Sequence, residues 1–91
     1  MHALLVSVRI DASRSDEAEK LLHEQTVPRA SSSDGFVKGY WARAADGTRG
    51  RGTVIFESEA TAKAAADQIV MPPDSPTTVE SIDLFEVVTE A

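Results

Sequence analysis

The chain has no cysteine among its 91 residues. That one absence removes disulfides, thiolate metal sites and cysteine nucleophiles together. Long apolar runs are missing as well: the longest is Ala3-Leu4-Leu5-Val6, where a helix spanning a bilayer needs about 20 apolar residues. No basic segment followed by an apolar stretch reads as a signal peptide, so the expectation is a cytoplasmic protein without a membrane partner. Positive charge is in deficit, with nine Lys and Arg against fifteen Asp and Glu. Affinity for nucleic acid comes from neutralising phosphates with clustered cations, and a chain of net charge −6 carries the wrong field. The one basic cluster, Arg43, Arg49 and Arg51, has no interleaved aromatics and reads as a solvated hairpin. Membrane-surface binding needs a basic amphipathic helix, and both helical segments are acidic or alanine-rich.

What is present is ordinary for a globular domain: 42% hydrophobic and 26% charged residues. The length predicts a single domain over residues 1–91. Residues 3–10 are β-branched and alternate, which predicts a strand. Asp11 to Glu17 opens a helix, with Ser13 or Ser15 able to cap it and Asp16, Glu17 and Glu19 suited to its positive end. Ala18, Leu21, Leu22 and Gln25 recur at helical spacing as far as about Pro28, and residues 30–35 read as a loop. Phe36 to Arg43 is a second strand and Gly52 to Glu57 a third, joined by a turn in which Asp46-Gly47 supplies positive φ. Ser58 caps a helix through about Val70, with Ala62, Ala65, Ala66 and Ile69 on its apolar face. Three prolines between Met71 and Pro76 end it, and Thr77 to Val88 is the last strand. The order βαββαβ is the split βαβ, ferredoxin-like arrangement, an α+β fold with a four-stranded antiparallel sheet and two helices on one face.

Two helices cover only one face of such a sheet, yet both faces carry apolar side chains. Leu4, Val6, Val8 and Ile10 oppose Ala3 and Leu5 on the first strand, and Val54 and Phe56 oppose Ile55 on the third. On the last, Ile82, Leu84 and Val88 oppose Val79, Phe85 and Val87. An exposed apolar patch of several hundred Å² marks an interface. The expected partner is a second copy of the chain, sheet against sheet.

The strand order, Gly35-Phe36-Val37 opening the second strand, and Val54-Ile55-Phe56-Glu57-Ser58-Glu59-Ala60 crossing into the second helix carry a resemblance. Over the whole chain the sequence resembles the antibiotic-biosynthesis-monooxygenase-like group of dimeric α/β-barrel proteins. The resemblance implies a homodimer with a small pocket between sheet and helices in each subunit. It also implies one of several activities: oxidation of polycyclic aromatic substrates by O₂ without a bound cofactor, haem opening, or none assigned. The haem-degrading members use an asparagine on the first strand, a tryptophan at the end of the third and a histidine on the second helix. The matching positions here are Val6 and Phe56, and there is no histidine between Ser58 and Val70. The expectation is therefore a protein with neither haem nor any other cofactor.

In the register the resemblance sets, Val6 and Phe56 face the helices, with Leu22 on the helical stripe that meets them. These residues and Trp41 are the candidate substrate-binding set. Tyr40 and Trp41 are adjacent, so only one faces the helices, and packing competes with ligand stacking as the role of each. His23 is the candidate base, since an unperturbed imidazole titrates near pH 6.5. With no carboxylate spaced to orient it, a surface histidine is the competing reading, and the same holds for His2 beside the N-terminus. Neither the histidines nor the acids have the spacing of a metal site. Arg9, Arg43 and Arg51 lie on strands, where an arginine binds a carboxylate or phenolate or pairs with acids such as Glu57, Asp83 and Glu86. Ser31-Ser32-Ser33 lacks a nucleophile-elbow context, and the glycines at 47, 50 and 52 precede a strand rather than a helix. Two functions follow from different classes: a homodimeric binding protein for a small, flat, conjugated molecule, able to serve as a cofactor-independent monooxygenase, or a non-catalytic dimeric module whose core is filled by its own side chains. Sedimentation is expected to give close to twice 9.8 kDa at micromolar concentration. A clean monomer would remove the case made from the two apolar faces.

Overall fold

In the computed structural model, which describes all residues from Met1 to Ala91, the first alternating segment forms β1 (His2–Ile10). Asp11 then turns the chain. Its carboxylate accepts from the Ser13 hydroxyl at 2.7 Å and the Ser13 amide at 3.0 Å, so Asp11, and not Ser13 or Ser15, caps this end. The same two bonds hold its pKa below the usual carboxylate value.

The first helical layer is α1 (Ser15–Leu21) and α2 (Val27–Ser31), joined by a widened π turn over Leu22–Thr26. Backbone angles stay helical through both junctions, so the run is continuous. Pro28 explains the widening. Proline has no N–H, and in a regular α-helix its ring strikes the carbonyl four residues back, here that of Glu24. The π turn, closed by the Val27 amide on the Leu22 carbonyl, opens the helix just ahead of that ring. The helix consequently passes through Pro28 instead of ending there, and the Ser32 and Ser33 hydroxyls close its end on the carbonyls of Pro28 and Arg29.

Strands β2 (Phe36–Arg43) and β3 (Arg49–Phe56) form the central hairpin. At its turn Gly47 has φ +74°, and the Asp46 carboxylate accepts from the Thr48 amide and hydroxyl. These bonds, the amide first, lower the Asp46 pKa. The support that a lowered carboxyl lends the turn is present at neutral pH and is lost as pH falls through the folded value. Helix α3 (Glu59–Asp67) begins with a capping box between Ser58 and Thr61 and ends before Val70. Strand β4 (Thr77–Glu86) completes the chain's regular structure.

The sheet order is β2-β3-β1-β4, with every pair antiparallel. This is the expected ferredoxin-like topology. One expectation about its faces is corrected. The register between β1 and β4 shifts at Ser7/Val8, so that Val79 stands opposite Val8 while Ser81 stays opposite Ser7. The extra residue, Glu80, is a bulge, and it moves Val79 onto the face of Ile82 and Leu84 instead of that of Phe85.

The core is thin. Leu4, Val54, Phe56 and Ala62 are buried together, and Val6, Phe36, Trp41, Ala65, Ala66 and Ile69 pack around them. Phe36 meets Phe56 edge to face, with ring centroids 6.4 Å apart. Helix α3 lies against β1, β3 and β4, whereas the main contact of the first helical layer with the sheet is that of α2 with β2. No residue from Asp11 to Ser33 is fully buried. The other sheet face carries Ala3, Leu5, Ile55, Tyr40 and Phe85, the last two 64% and 54% exposed. Phe56 is the largest fully buried side chain. Phe56→Ala is expected to cost about 3–5 kcal/mol, much of the 5–15 kcal/mol typical of a domain. A urea midpoint unchanged by the substitution would contradict this core.

Candidate functional site

The register of the central hairpin assembles the site. Gly39 pairs with Val54, Trp41 with Gly52 and Arg43 with Gly50. Directly paired residues share a face, and side chains alternate along each strand. Gly39, Trp41 and Arg43 on β2 therefore share the helix-facing side with Gly50, Gly52, Val54 and Phe56 on β3. Tyr40 points to the other side, which settles the choice between the two adjacent aromatics.

Gly39 and Gly52 on neighbouring strands leave a bare strip of backbone, and the Trp41 indole lies across it. A Cβ at Gly39 would stand 2.7 Å from Trp41 Cη2, and one at Gly52 would stand 3.1 Å from both Cδ1 and Nε1. Both ends of the ring system are thus pressed against glycine. Glycine inside a strand costs stability and marks a close approach to backbone. Here the approach is that of the indole. One edge of the ring belongs to the core, and the residue as a whole is half-buried.

The candidate residues fall into two groups. Val6, Trp41 and Phe56 come together: Phe56 is 1% exposed within the core, and Val6 and Trp41 pack against that core from the half-open side. Leu22 is half-buried on a helical stripe with Ala18 and Leu21, yet it does not join the core cluster. His23 is exposed on the π turn, one step around the helix from Leu22.

His2 departs from the surface role expected of it. It pairs with Phe56 across the sheet, and its side chain is only 20% exposed, with Nε2 3.4 Å from Glu59 and Nδ1 buried without a partner. The arginines also depart from expectation. Arg9 pairs with Glu80, not with Glu57, Asp83 or Glu86, and Arg43 and Arg51 enter no ion pair. No group of three His, Asp or Glu side chains gathers anywhere. Two open clefts lie away from the indole. One, of about 340 Å³, is lined by Ile69, Met71, Pro72 and Thr77 among others. The second, of about 440 Å³, is bordered by Ser7, Ala42, Arg43, Arg49, Arg51 and Glu80 among others.

No family model and no curated protein matches the sequence. Solved structures match over the whole chain. A mutant of MhuD with two manganese protoporphyrin IX molecules bound per active site aligns with TM-score 0.79 at 20% identity, covering 100% of this chain and 98% of that one. The haem-degrader MhuD from Mycobacterium tuberculosis, with two haems in its active site, aligns with TM-score 0.76 at 20% identity over 100% and 99% of the two chains. HapK from Hahella chejuensis aligns with TM-score 0.67 at 14% identity over 100% and 96%. The chain has the fold of these proteins, a ferredoxin-like βαββαβ arrangement with a four-stranded antiparallel sheet. No helix is long and apolar enough to cross a membrane.

The glycine strip yields a direct test. Gly39→Val places a branched side chain where the indole now lies, and overpacking of this kind costs about 1–3 kcal/mol. The fluorescence of Trp41, the chain's single tryptophan, is expected to shift to the red as the ring is pushed into solvent. An unchanged emission maximum would mean that the indole does not rest on Gly39.

Proposed function

We propose that residues 1–91 act as one domain of a cytoplasmic homodimer that binds a small, flat, conjugated organic molecule between the sheet and the first helix. The observation that carries this reading is the indole resting on Gly39 and Gly52 while the first helical layer contributes no buried residue. A half-buried indole in one row with Gly52 and Val6 offers an apolar face that suits a planar ligand. Stacking of a planar base on an aromatic side chain is worth about 1–3 kcal/mol.

The same fold holds porphyrins in MhuD, and a porphyrin is flat and conjugated too. The residues here do not fit haem. Helix α3 turns Ala62, Ala65 and Ala66 toward the core and contains no histidine. His2 is held against Glu59, and His23 is exposed. A metal-free planar molecule is the ligand this site favours. The site holds no side chain placed as a base, so binding is the function the residues support. Oxidation without a cofactor would depend on a ligand whose own carbanion meets O₂. The full burial of Phe56 favours the second reading, a non-catalytic module with a filled core.

The dimer rests on the uncovered sheet face. Four strands about 4.8 Å apart and some eight rows of about 3.3 Å make a face of roughly 500 Å² in projection. With side-chain relief and its flanks, that approaches the roughly 800 Å² per partner of a standard interface. Phe85, Tyr40, Leu5 and Ile55 supply an apolar patch toward one end of it.

Titration with anthraquinone carboxamide, a neutral planar probe, is expected to quench Trp41 fluorescence saturably. Trp41→Ala, with folding checked by its urea midpoint, is expected to weaken calorimetric binding roughly tenfold or more. Haem is expected to give no saturable Soret shift. Absence of quenching in the folded protein would refute the ligand reading, and stoichiometric haem binding would refute the choice of a metal-free ligand.

A further inference from the structure

We infer that the ligand carries an oxyanion, a carboxylate or ionised phenol, and that Arg43 binds it; this rests on the ligand reading above. Arg43 lies two residues beyond Trp41 on the same face of β2. A strand rises about 3.3 Å per residue, so the two Cα atoms stand roughly 7 Å apart. That separation matches the reach from the middle of a fused-ring system to a substituent at its edge. A ligand stacked on Trp41 thus brings an edge group within reach of the guanidinium.

The neighbours of Arg43 leave the guanidinium uncommitted. The residue directly opposite is Gly50, which has no side chain, and the same row continues through Val8 to Val79. Arg43 is the only guanidinium or ammonium on the helix-facing rows of the sheet. No acid shares its row, and it forms no ion pair, whereas Arg9 and Arg14 are paired with Glu80 and Glu17. An unpaired arginine beside an apolar floor is unusual in a chain with six more acids than bases. Its planar fork accepts a carboxylate through two parallel hydrogen bonds, a geometry lysine does not reproduce. Arg49 and Arg51 are unpaired as well, but alternation places them on the opposite face with Tyr40 and Thr53.

The test compares two probes of nearly equal shape by calorimetry on the full chain: anthraquinone carboxylate and anthraquinone carboxamide. Wild-type protein is expected to prefer the carboxylate by roughly tenfold. Arg43→Gln is expected to abolish that preference while leaving carboxamide affinity within about twofold, and Arg43→Lys to restore part of it. Arg51→Gln, on the other face, is expected to leave the preference intact. Urea midpoints within error of wild type show that each variant is folded. Equal binding of the two probes by wild type, or a preference that survives Arg43→Gln, overturns the role of Arg43 while the ligand reading stands. Failure of both probes to bind overturns the ligand reading and this inference with it.

Discussion

Trp41 can lie against the sheet only because Gly39 and Gly52 carry no side chains, and the layering of the molecule depends on that contact. An indole standing upright from β2 would fill the space beneath the first helix and turn it into core. Laid against the sheet, the ring packs on the Phe56 cluster and stays half-buried. The division of labour between the helices follows. Helix α3, with alanines inward, sits close enough to bury Phe56, Val54 and Leu4. The first helical layer, broken into a π turn ahead of Pro28, touches the sheet mainly at its α2 end. Stability thus rests on the α3 half of the interlayer, and the proposed binding on the other half.

The opposite sheet face answers a different demand. It places Phe85, Ile55, Leu5 and Tyr40 toward one end and Arg9, Arg49 and Arg51 toward the other, with Asp83 between. Arg9 lies directly opposite Arg49, and like charges in that position are unfavourable across a strand pair. Glu80 relieves part of this by pairing with Arg9 at 3.1 Å. The Glu80 bulge therefore has two consequences: it aims a carboxylate at the basic end of this face, and it returns Val79 to the helix-facing side.

Period-two and helical patterning made the βαββαβ order legible, because alternation and apolar stripes are local. The Val79 bulge was not legible, since its signal lies in pairing with β1 and not in β4 itself. Nor was the helix's passage through Pro28, where proline read locally as a stop while the π turn accommodated it. The asymmetry of the site had a signal that went unused. Counting outward equally from Asp46 and Gly47 brings Trp41 opposite Gly52 and Arg43 opposite Gly50. That register follows from the tight turn alone and would have assigned the faces of Tyr40 and Trp41. His23 was marked by its chemistry, but helix rotation leaves it exposed, whereas His2 was discounted by its position and became half-buried.

The central claim is that the open side of the indole is a ligand surface, distinct from both the Phe56 core and the outer sheet face. Amide and indole chemical shifts during titration with the neutral anthraquinone probe address it most directly. The account requires the largest changes at the Trp41 indole N–H and at the amides of Gly50, Gly52 and Leu22, with Tyr40, Leu5 and Phe85 far less affected. Changes concentrated on Tyr40, Leu5 and Phe85, with the indole resonance unmoved, would contradict it.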